Sequence, residues 1–462
     1  MSIVSLIDSY TKDLVNYDTV VDSNGIVVDG FIYREKDGKV YINCDFTAGK
    51  PINIKIFGVK GDGVTDDFLS IQKAFDIIDS LGGGHLFIPN SIGDYILSDQ
   101  VKVGSNTTVT WEGKSFFRLI HYSTVGTVIC NKANAENIVL NNPLIDGANI
   151  TAGGTGENGI SFGKCKNVRV YGGVVKNCRK GTEAYKLGGK GIQVESEDCE
   201  DVVIKDVSIY DSDWALSSQI NINFSLLPVQ VIYSGIKIFN CGRILYCHQL
   251  NGFEDSKNHL VKLENITAYN CGDDDDEGLI VLDRAKYLII NNMFVKGTKK
   301  VKSLFRGRHS DCVFTGIVLN QNVENLIYNK PSFSAVSYNL STSNFYDITV
   351  LSSVDNVLNS SIDGTYSYRE LRGSYINVNL SSDVLSELVV PQSAYLDCIL
   401  SVFCLGKGIK GNTTFFASQD SKKVSLFKYG NIENNISYDS ALNKPVYYNG
   451  SQWMDFSNNP IV

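Results

Sequence analysis

The sequence predicts an all-β chain: a right-handed, single-stranded parallel β-helix with an N-terminal capping helix. Three observations carry that prediction, namely an apolar spacing that recurs seven times, an amide ladder at one offset within it, and a helical stretch ahead of it. The spacing places apolar residues at offsets 0, +2, +5 and +7, first as Ile138, Leu140, Pro143 and Ile145. It returns as Val202, Ile204, Val207, Ile209, then Val231, Tyr233, Ile236, Ile238, then Val261, Leu263, Ile266, Ala268. Leu288, Ile290, Met293, Val295 and Cys312, Phe314, Ile317, Leu319 close the series, and Val168, Val170 and Val175 fit it with Gly173 in the third place. Copies start 24 to 34 residues apart.

Each copy reads as two short strands of period two, separated by a bend that shifts the register by one. A unit this short cannot bury its apolar side alone, so copies must stack. Offset +9 holds Asn177, Asp211, Asn240 and Asn270, with Gly147 and Gly297 at the same bend, and offset +10 holds Cys178, Ser212, Cys241 and Cys271. Stacked amides can bond to one another and to turn backbone from copy to copy. A β-sandwich or propeller needs no such ladder, so the solenoid is preferred.

Residues 1–50 read as a small N-terminal head or adaptor, with hairpins suggested at Ser23-Asn24-Gly25 and Lys36-Asp37-Gly38. Phe68, Ile71, Phe75 and Ile78 recur at helical spacing between an N-cap at Thr65 or Asp66 and the stop Gly82-Gly83-Gly84. Such a helix would cover the first rung, whose open edge invites aggregation. Strands around Leu86-Phe87-Ile88 and Tyr95-Ile96-Leu97 lead into the helix body, assigned to residues 51–330. Regularity fades past residue 320, so 331–440 is either an irregular continuation or a separate β-domain. Residues 441–462 read as a terminal hairpin across Asn449-Gly450, its aromatic arms suited to a subunit contact.

At 462 residues the chain exceeds the usual single core, a limit that a fold growing along one axis escapes. A formal charge of −8 and the lack of a continuous basic stripe argue against nucleic acid as a partner. The densest basic run, Lys299, Lys300, Lys302, Arg306 and Arg308, is local. No signal-peptide pattern opens the chain and no run reaches membrane-spanning length, so neither export by that route nor membrane insertion is expected. The eleven cysteines show no metal spacing, and those at offset +10 fit small buried hydrophobes assembled in a reducing compartment. No cofactor and no metal are expected.

Phe57-Gly58-Val59-Lys60-Gly61-Asp62-Gly63-Val64-Thr65-Asp66-Asp67 resembles the entry motif of the pectate-lyase-like superfamily of parallel β-helices. The match continues through Ile71, Ala74, Gly82-Gly83-Gly84, Ile88-Pro89 and Tyr95, and covers roughly residues 52–320. That superfamily includes plant-polysaccharide lyases, polygalacturonase-like hydrolases and phage tailspikes. The short head and the Trp-containing terminal hairpin look most like the tailspike, polysaccharide-depolymerase type. This resemblance implies a homotrimer on a virion tail, assembled in the bacterial cytoplasm and acting outside on host capsule or lipopolysaccharide. Its N-terminal region would meet a tail or baseplate protein. The entry motif itself is structural. The chain departs from polygalacturonase-like enzymes in lacking Gly-His-Gly and an Arg-x-Lys in the right order, and the pectate-lyase calcium and arginine constellation is not recognisable.

Glycoside hydrolysis needs two carboxyl groups about 5 to 9 Å apart, one of them held protonated. Glu197 and Asp283 share an offset but lie three rungs apart, roughly 14 Å, too far to act as one pair although both can line one groove. Asp283 has closer company in the acidic stretch Asp273-Asp274-Asp275-Asp276-Glu277 and in Arg306 and Arg308, each expected one residue out of phase with it. Crowded carboxylates push one pKa up, and guanidiniums grip an anionic sugar. The pair Glu277 as acid and Asp283 as base or nucleophile is therefore the leading candidate. A hydrated acidic loop and a calcium site are the alternatives for the same stretch. Asp213 is a second catalytic locus, with Trp214 beside it either as a sugar platform or as turn packing. Tyr185 and Glu183 lie in the largest insertion of the stack, a candidate groove wall, while His309 has no second ligand near it in sequence. Sites between subunits are also open to this fold. Three functions follow: an endo-acting hydrolase, a lyase that abstracts the C5 proton of a uronic acid, or a spike that binds without cutting.

Overall fold

A computed structural model describes residues 3–7, 11, 14–20, 28–120, 126–149, 158–179, 188–196, 199–220, 229–249, 259–272, 278–286, 288–310, 313–321, 323–328, 344–350, 375–380, 399–404, 446–448 and 453–455. The chain divides into two compact units, Met1–Asp213 and Trp214–Val462. The structure is mostly β, a β-helix-like arrangement of stacked parallel strands preceded by a helix.

The first unit opens with a four-stranded antiparallel sheet in the spatial order Ile3–Ile7, Leu14–Thr19, Lys39–Asn43, Tyr33–Lys36. The hairpin between its last two strands turns at Asp37 and Gly38, both left-handed (φ 51° and 70°), which is the turn that matches strand twist. Phe31, just ahead of that hairpin, packs on Phe57 at 5.0 Å between ring centroids and under the Lys73 ammonium at 4.5 Å. The head is thereby seated on the first rung and the helix.

The helix Phe68–Ser80 buries Ile71, Ala74, Phe75 and Ile78 completely. Asp67 sits at its N-cap position, but its carboxylate accepts from Lys60 N–H (2.6 Å) and Gly61 N–H (2.8 Å) in the entry motif. Asp66, one of the two expected caps, accepts from Phe68 N–H at 3.1 Å. The stop works as the glycines predict: Gly83, at φ 117°, donates to Ile78 O, and a Cβ there would lie 2.4 Å from Asn106 O. Helical Gln72 both donates to Lys102 O (3.2 Å) and accepts from Lys102 N–H (2.8 Å), which occupies the open edge of strand Val101–Val103.

The parallel stack begins earlier than the apolar repeat suggests. Ile52–Asn53, Gly84–Ile88 and Thr107–Trp111 already pair in sequence, with Ile52 beside Leu86 and Leu86 beside Val109. Val109 in turn neighbours Leu140. From there the register reproduces the repeat: Ile138, Leu140 and Ile145 pair with Val168, Val170 and Val175, and these with Val202, Ile204 and Ile209.

The second unit continues the same rule. Val231 and Tyr233 pair with Val261 and Leu263; Val261, Leu263, Ile266 and Ala268 pair with Leu288, Ile290, Met293 and Val295. These residues are at most 1% exposed, so the offsets seen in sequence are the core. Beyond residue 320 one further copy is present, because Phe345, Ile348 and Val350 pair with Phe314, Ile317 and Leu319. Tyr375–Leu380 pairs in parallel with Ile399–Cys404, and Val446–Tyr448 pairs antiparallel with Trp453–Asp455.

Each full rung holds a third strand that the apolar spacing does not announce. In the first unit these are Val101–Val103, Thr127–Asn131, Asn158–Gly163 and Lys190–Ser196. In the second they are Trp214–Ile220, Arg243–Gln249, Ile280–Lys286, Val301–Ser310 and Val323–Tyr328. Their start drifts relative to the repeat because the connection ahead of them varies in length from copy to copy. That drift is why they escape a fixed-offset search.

Candidate functional site

The third strands of the second unit carry the densest chemistry. Leu216, Leu245, Ile280 and Phe305 form one register column and are fully buried. Positions alternating with these belong to the opposite face of the sheet. Two columns follow there: Ser217, Tyr246, Val281, Arg306, and beside it Gln219, His248, Asp283, Arg308. Neighbouring strands lie about 4.8 Å apart, so His248, Asp283 and Arg308 span roughly 10 Å. Arg308 was expected one residue out of phase with Asp283. It is its direct register partner instead, and Arg306 is one residue pair earlier, opposite Val281. A register shift between Asp283 and Ala285 marks a bulge, a feature frequent beside active sites.

Gly278 follows the acidic stretch and begins the described backbone ahead of strand Ile280–Lys286. Gly278, the residue after Glu277, has no room for a side chain: a Cβ would lie 2.7 Å from Ser303 Oγ and 3.1 Å from Arg306 Cβ. Arg306 is buried, 7% exposed, with its Cβ against Gly278. At the other end, Lys299 Nζ donates to Gly272 O at 2.8 Å. Glu277 itself, with Glu183, Tyr185 and Glu197, lies outside the described residues.

Trp214 starts the first of these strands and is 3% exposed. Its ring meets Tyr246 at 5.0 Å and lies under the Arg243 guanidinium at 4.5 Å, so cation–π and ring packing occupy it. Beneath the sheet, Tyr233 replaces an aliphatic residue in the repeat. Its hydroxyl lies 3.0 Å from Ser218 Oγ and donates to Ser217 O at 3.1 Å, tying the first strand of its rung to the site strand. A tyrosine in an otherwise aliphatic column was the sequence signal for that tie.

In the first unit, Asp213 Oδ2 accepts from Gly189 N–H at 3.0 Å, and a Cβ on Gly188 would lie 2.0 Å from the same oxygen. Its carboxylate therefore holds the backbone that enters strand Lys190–Ser196. That strand bears a polar chain missed in sequence. Lys190 Nζ donates to Gln193 Oε1 at 3.2 Å, and the Gln193 amide donates to Glu195, although Gln193 is fully buried. Burial holds the Lys190 ammonium below the usual lysine range, with Glu195 opposing that shift. Among the described residues, no group of three or more His, Cys, Asp or Glu is placed to hold a metal ion. Among them, too, no helix is long and apolar enough to cross a membrane.

The fold and this face define a class: a stacked β-helix whose sequence resembles phage appendage and tailspike proteins over about a quarter of its length. No known protein-family model matches the sequence. Over 132 residues, 26% of this chain, it is 30% identical to the pre-neck appendage protein of Bacillus phage phi29, of which the match covers 15%. Over 131 residues, 27% of this chain, it is 33% identical to the tail spike protein of Shigella phage Sf6, of which the match covers 21%. The chain thus spans about a fifth or less of the length of these relatives. Among solved structures it is similar to PfbA, a surface adhesin of Streptococcus pneumoniae, with TM-score 0.47, 14% identity, and 84% of this chain and 99% of that one covered. It is also similar to tailspike protein gp49 of Acinetobacter baumannii bacteriophage Fri1, a capsular polysaccharide depolymerase, with TM-score 0.45, 12% identity, and 91% and 74% covered.

Proposed function

We propose that this chain is the body of a phage tailspike depolymerase that cuts glycosidic bonds within a bacterial capsular polysaccharide or lipopolysaccharide by endo-acting hydrolysis. In this reading it is a right-handed solenoid, as parallel crossovers are. It works as a homotrimer on the virion tail, is assembled in the bacterial cytoplasm, and contacts a tail or baseplate protein through residues 1–50. The observation that carries the reading is the register pairing of Asp283 with Arg308, together with the close approach of Arg306 to Gly278, the residue after Glu277. Glu277 supplies the acid, Asp283 the base side of the reaction, and the arginines hold an anionic sugar. Asp213 is the second catalytic locus, with Glu197 and Tyr185 as substrate contacts of the first unit. Trp214 then supports the site as packing under Arg243 and Tyr246.

The second reading is β-elimination on a uronic-acid glycan. The register pairing of Asp283 with Arg308 favours it, because a guanidinium beside the base would neutralise the developing enolate. Incubation with a panel of purified capsules and lipopolysaccharides, followed by mass spectrometry, separates these readings. Fragments with one added water per cut support hydrolysis; unsaturated, ultraviolet-absorbing fragments support the lyase. Retention on one glycan without any fragments would replace both with a non-cutting receptor-binding spike.

A further inference from the structure

Two thiols from adjacent rungs meet inside the first unit. Cys165 opens strand Cys165–Tyr171, and Cys199 directly precedes strand Glu200–Lys205. Lys166 pairs with Glu200 and Val168 with Val202, so Cys165 and Cys199 share one column of the stack. Their sulfurs lie 3.4 Å apart although the residues are 34 apart in sequence, and both are buried, 2% and 0% exposed. Neither is in a disulfide. Cys199 Sγ leans toward the earlier rung, where it faces Phe162 O at 4.0 Å, and it donates to Glu195 O at 3.2 Å on its own. The bond to Cys199, then burial, push the Cys165 thiol up, so it rests protonated. Ala135 holds the same place one rung earlier, as the register partner of Cys165. A small apolar side chain therefore fills this column, and the facing sulfurs add a capacity that packing does not require. In-register neighbours on parallel strands lie about 4.8 Å apart, inside the roughly 4.4–6.8 Å that a disulfide spans between Cα atoms.

We propose that Cys165 and Cys199 are an oxidisable dithiol that closes to a disulfide between two rungs and locks the first unit's stack there. The inference is independent of the depolymerase reading. With hydrogen peroxide as the oxidant, one sulfur, as its thiolate, bonds to a peroxide oxygen while the O–O bond breaks. A sulfenic acid remains, and the hydroxide released takes up the proton that the first thiol gave off. The second sulfur then bonds to the sulfenic sulfur as the S–O bond breaks, and the hydroxyl leaves as water with the second thiol's proton. Two electrons pass from the sulfur pair to the peroxide, and two waters form per bridge. Closure removes the Cys199 thiol hydrogen from Glu195 O, so it exchanges a hydrogen bond within one rung for a covalent bond between two.

The test treats the full folded chain with hydrogen peroxide in mildly alkaline buffer, alkylates the remaining thiols after denaturation, and maps the peptides by mass spectrometry. The expected product joins the Cys165 and Cys199 peptides, lighter by two hydrogens, and dithiothreitol returns it to the two thiols. The bridged protein is expected to melt about 5 °C above the reduced one. That rise is expected to be absent in Cys165→Ala, an exchange whose side chain the column already holds at Ala135. Cys199→Ser, which keeps a donor for Glu195 O, is the second variant and is expected to lose the rise as well. Recovery of both residues as alkylated cysteines from the peroxide-treated wild type would overturn the proposal, as would their separate oxidation to sulfinic or sulfonic acids. A bridge that left the melting temperature unchanged would overturn the locking role, and an equal rise in both variants would assign the shift to another oxidation. None of these outcomes depends on whether the protein cuts a glycan.

Discussion

At the scale of single residues, this fold depends on left-handed backbone positions. Offset +4 of the repeat is Asn142, Gly172, Asp206, Gly235, Asn265, Asn292 and Gly316, and every one has φ between 53° and 67°. Only Gly, Asn and Asp adopt that conformation cheaply, so the bend between the two strands of each copy is encoded by residue type. A single left-handed residue there also produces the register shift of one that the apolar offsets imply. Offset +9 repeats the device at Asn177, Asp211, Asn240 and Asn270. Its amides link copies, Asn177 to Asp146 at 2.8 Å and Asn270 to Asn240 at 3.2 Å. At +10, Cys178, Cys241 and Cys271 each bond their thiol to the carbonyl two residues back, as the Ser212 hydroxyl does. Asn292, which donates to Asn265 at 2.6 Å, tests the rule. Asn292→Ala should cost about 1–2 kcal/mol in urea unfolding, whereas Asn292→Gly should lose less because it keeps the backbone conformation.

Asp62 sets a pH test at the same scale. Its carboxylate accepts from Thr65 N–H, Thr65 Oγ1 and Val64 N–H, and these bonds, the Thr65 backbone first, lower its pKa to about 2. Since the folded value lies below the ordinary one near 4, its contribution to stability is complete above about pH 4 and disappears as pH falls through about 2. Asp62→Asn should remove that component, so thermal unfolding of the variant and the wild type should converge between about pH 4 and 2.

At the scale of elements, the helix Phe68–Ser80 is a cap with two kinds of hold. Apolar burial seats it, and polar side chains close the strand edge that it covers. Gln72→Ala would strip both partners from Lys102 and should cost about 1–2 kcal/mol, with more concentration-dependent aggregation on light scattering. Lys132 Nζ bridges Asp76 at 2.8 Å and Asp79 at 2.9 Å, clamping the helix to the end of strand Thr127–Asn131. Burial lowers its pKa, but the bonds and charges of Asp76 and Asp79 outweigh that and leave it raised. A raised folded pKa means stabilisation that is present below the ordinary lysine value, near 10.4, and lost as pH climbs past it. Because the side chain is about a third exposed, Lys132→Met should cost no more than about 1 kcal/mol at neutral pH and nothing further above pH 11.

At the scale of the whole molecule, two compact units each stack short strands whose apolar faces are useless alone. In the second unit's third strands, residues distant in sequence come into one register column: His248, Asp283 and Arg308, with Arg306 beside Gly278. If these residues cut a glycan, Asp283→Asn and Glu277→Gln should each lower turnover by about 10²–10⁴-fold, read as released oligosaccharide, while retention on that glycan persists. Full turnover in both would move the chemistry to Asp213 or elsewhere.

The repeat, the helix and the stacked register were legible in the chain, because burial with a period of two and bends that demand Asn, Asp or Gly leave marks at constant offsets. Ile138, Val168 and Val202 could be aligned by eye and prove to be neighbours. The third strands were not legible, since the connection ahead of each varies in length and shifts its phase. For the same reason the sequence placed Arg308 out of step with Asp283 and passed over His248. Only the backbone register, set by hydrogen bonds between strands about 30 residues apart in sequence, decided that His248, Asp283 and Arg308 share one column. Trp214 makes a related point: the sequence left it open between a sugar platform and turn packing, and only the tertiary structure shows its ring against Arg243 and Tyr246.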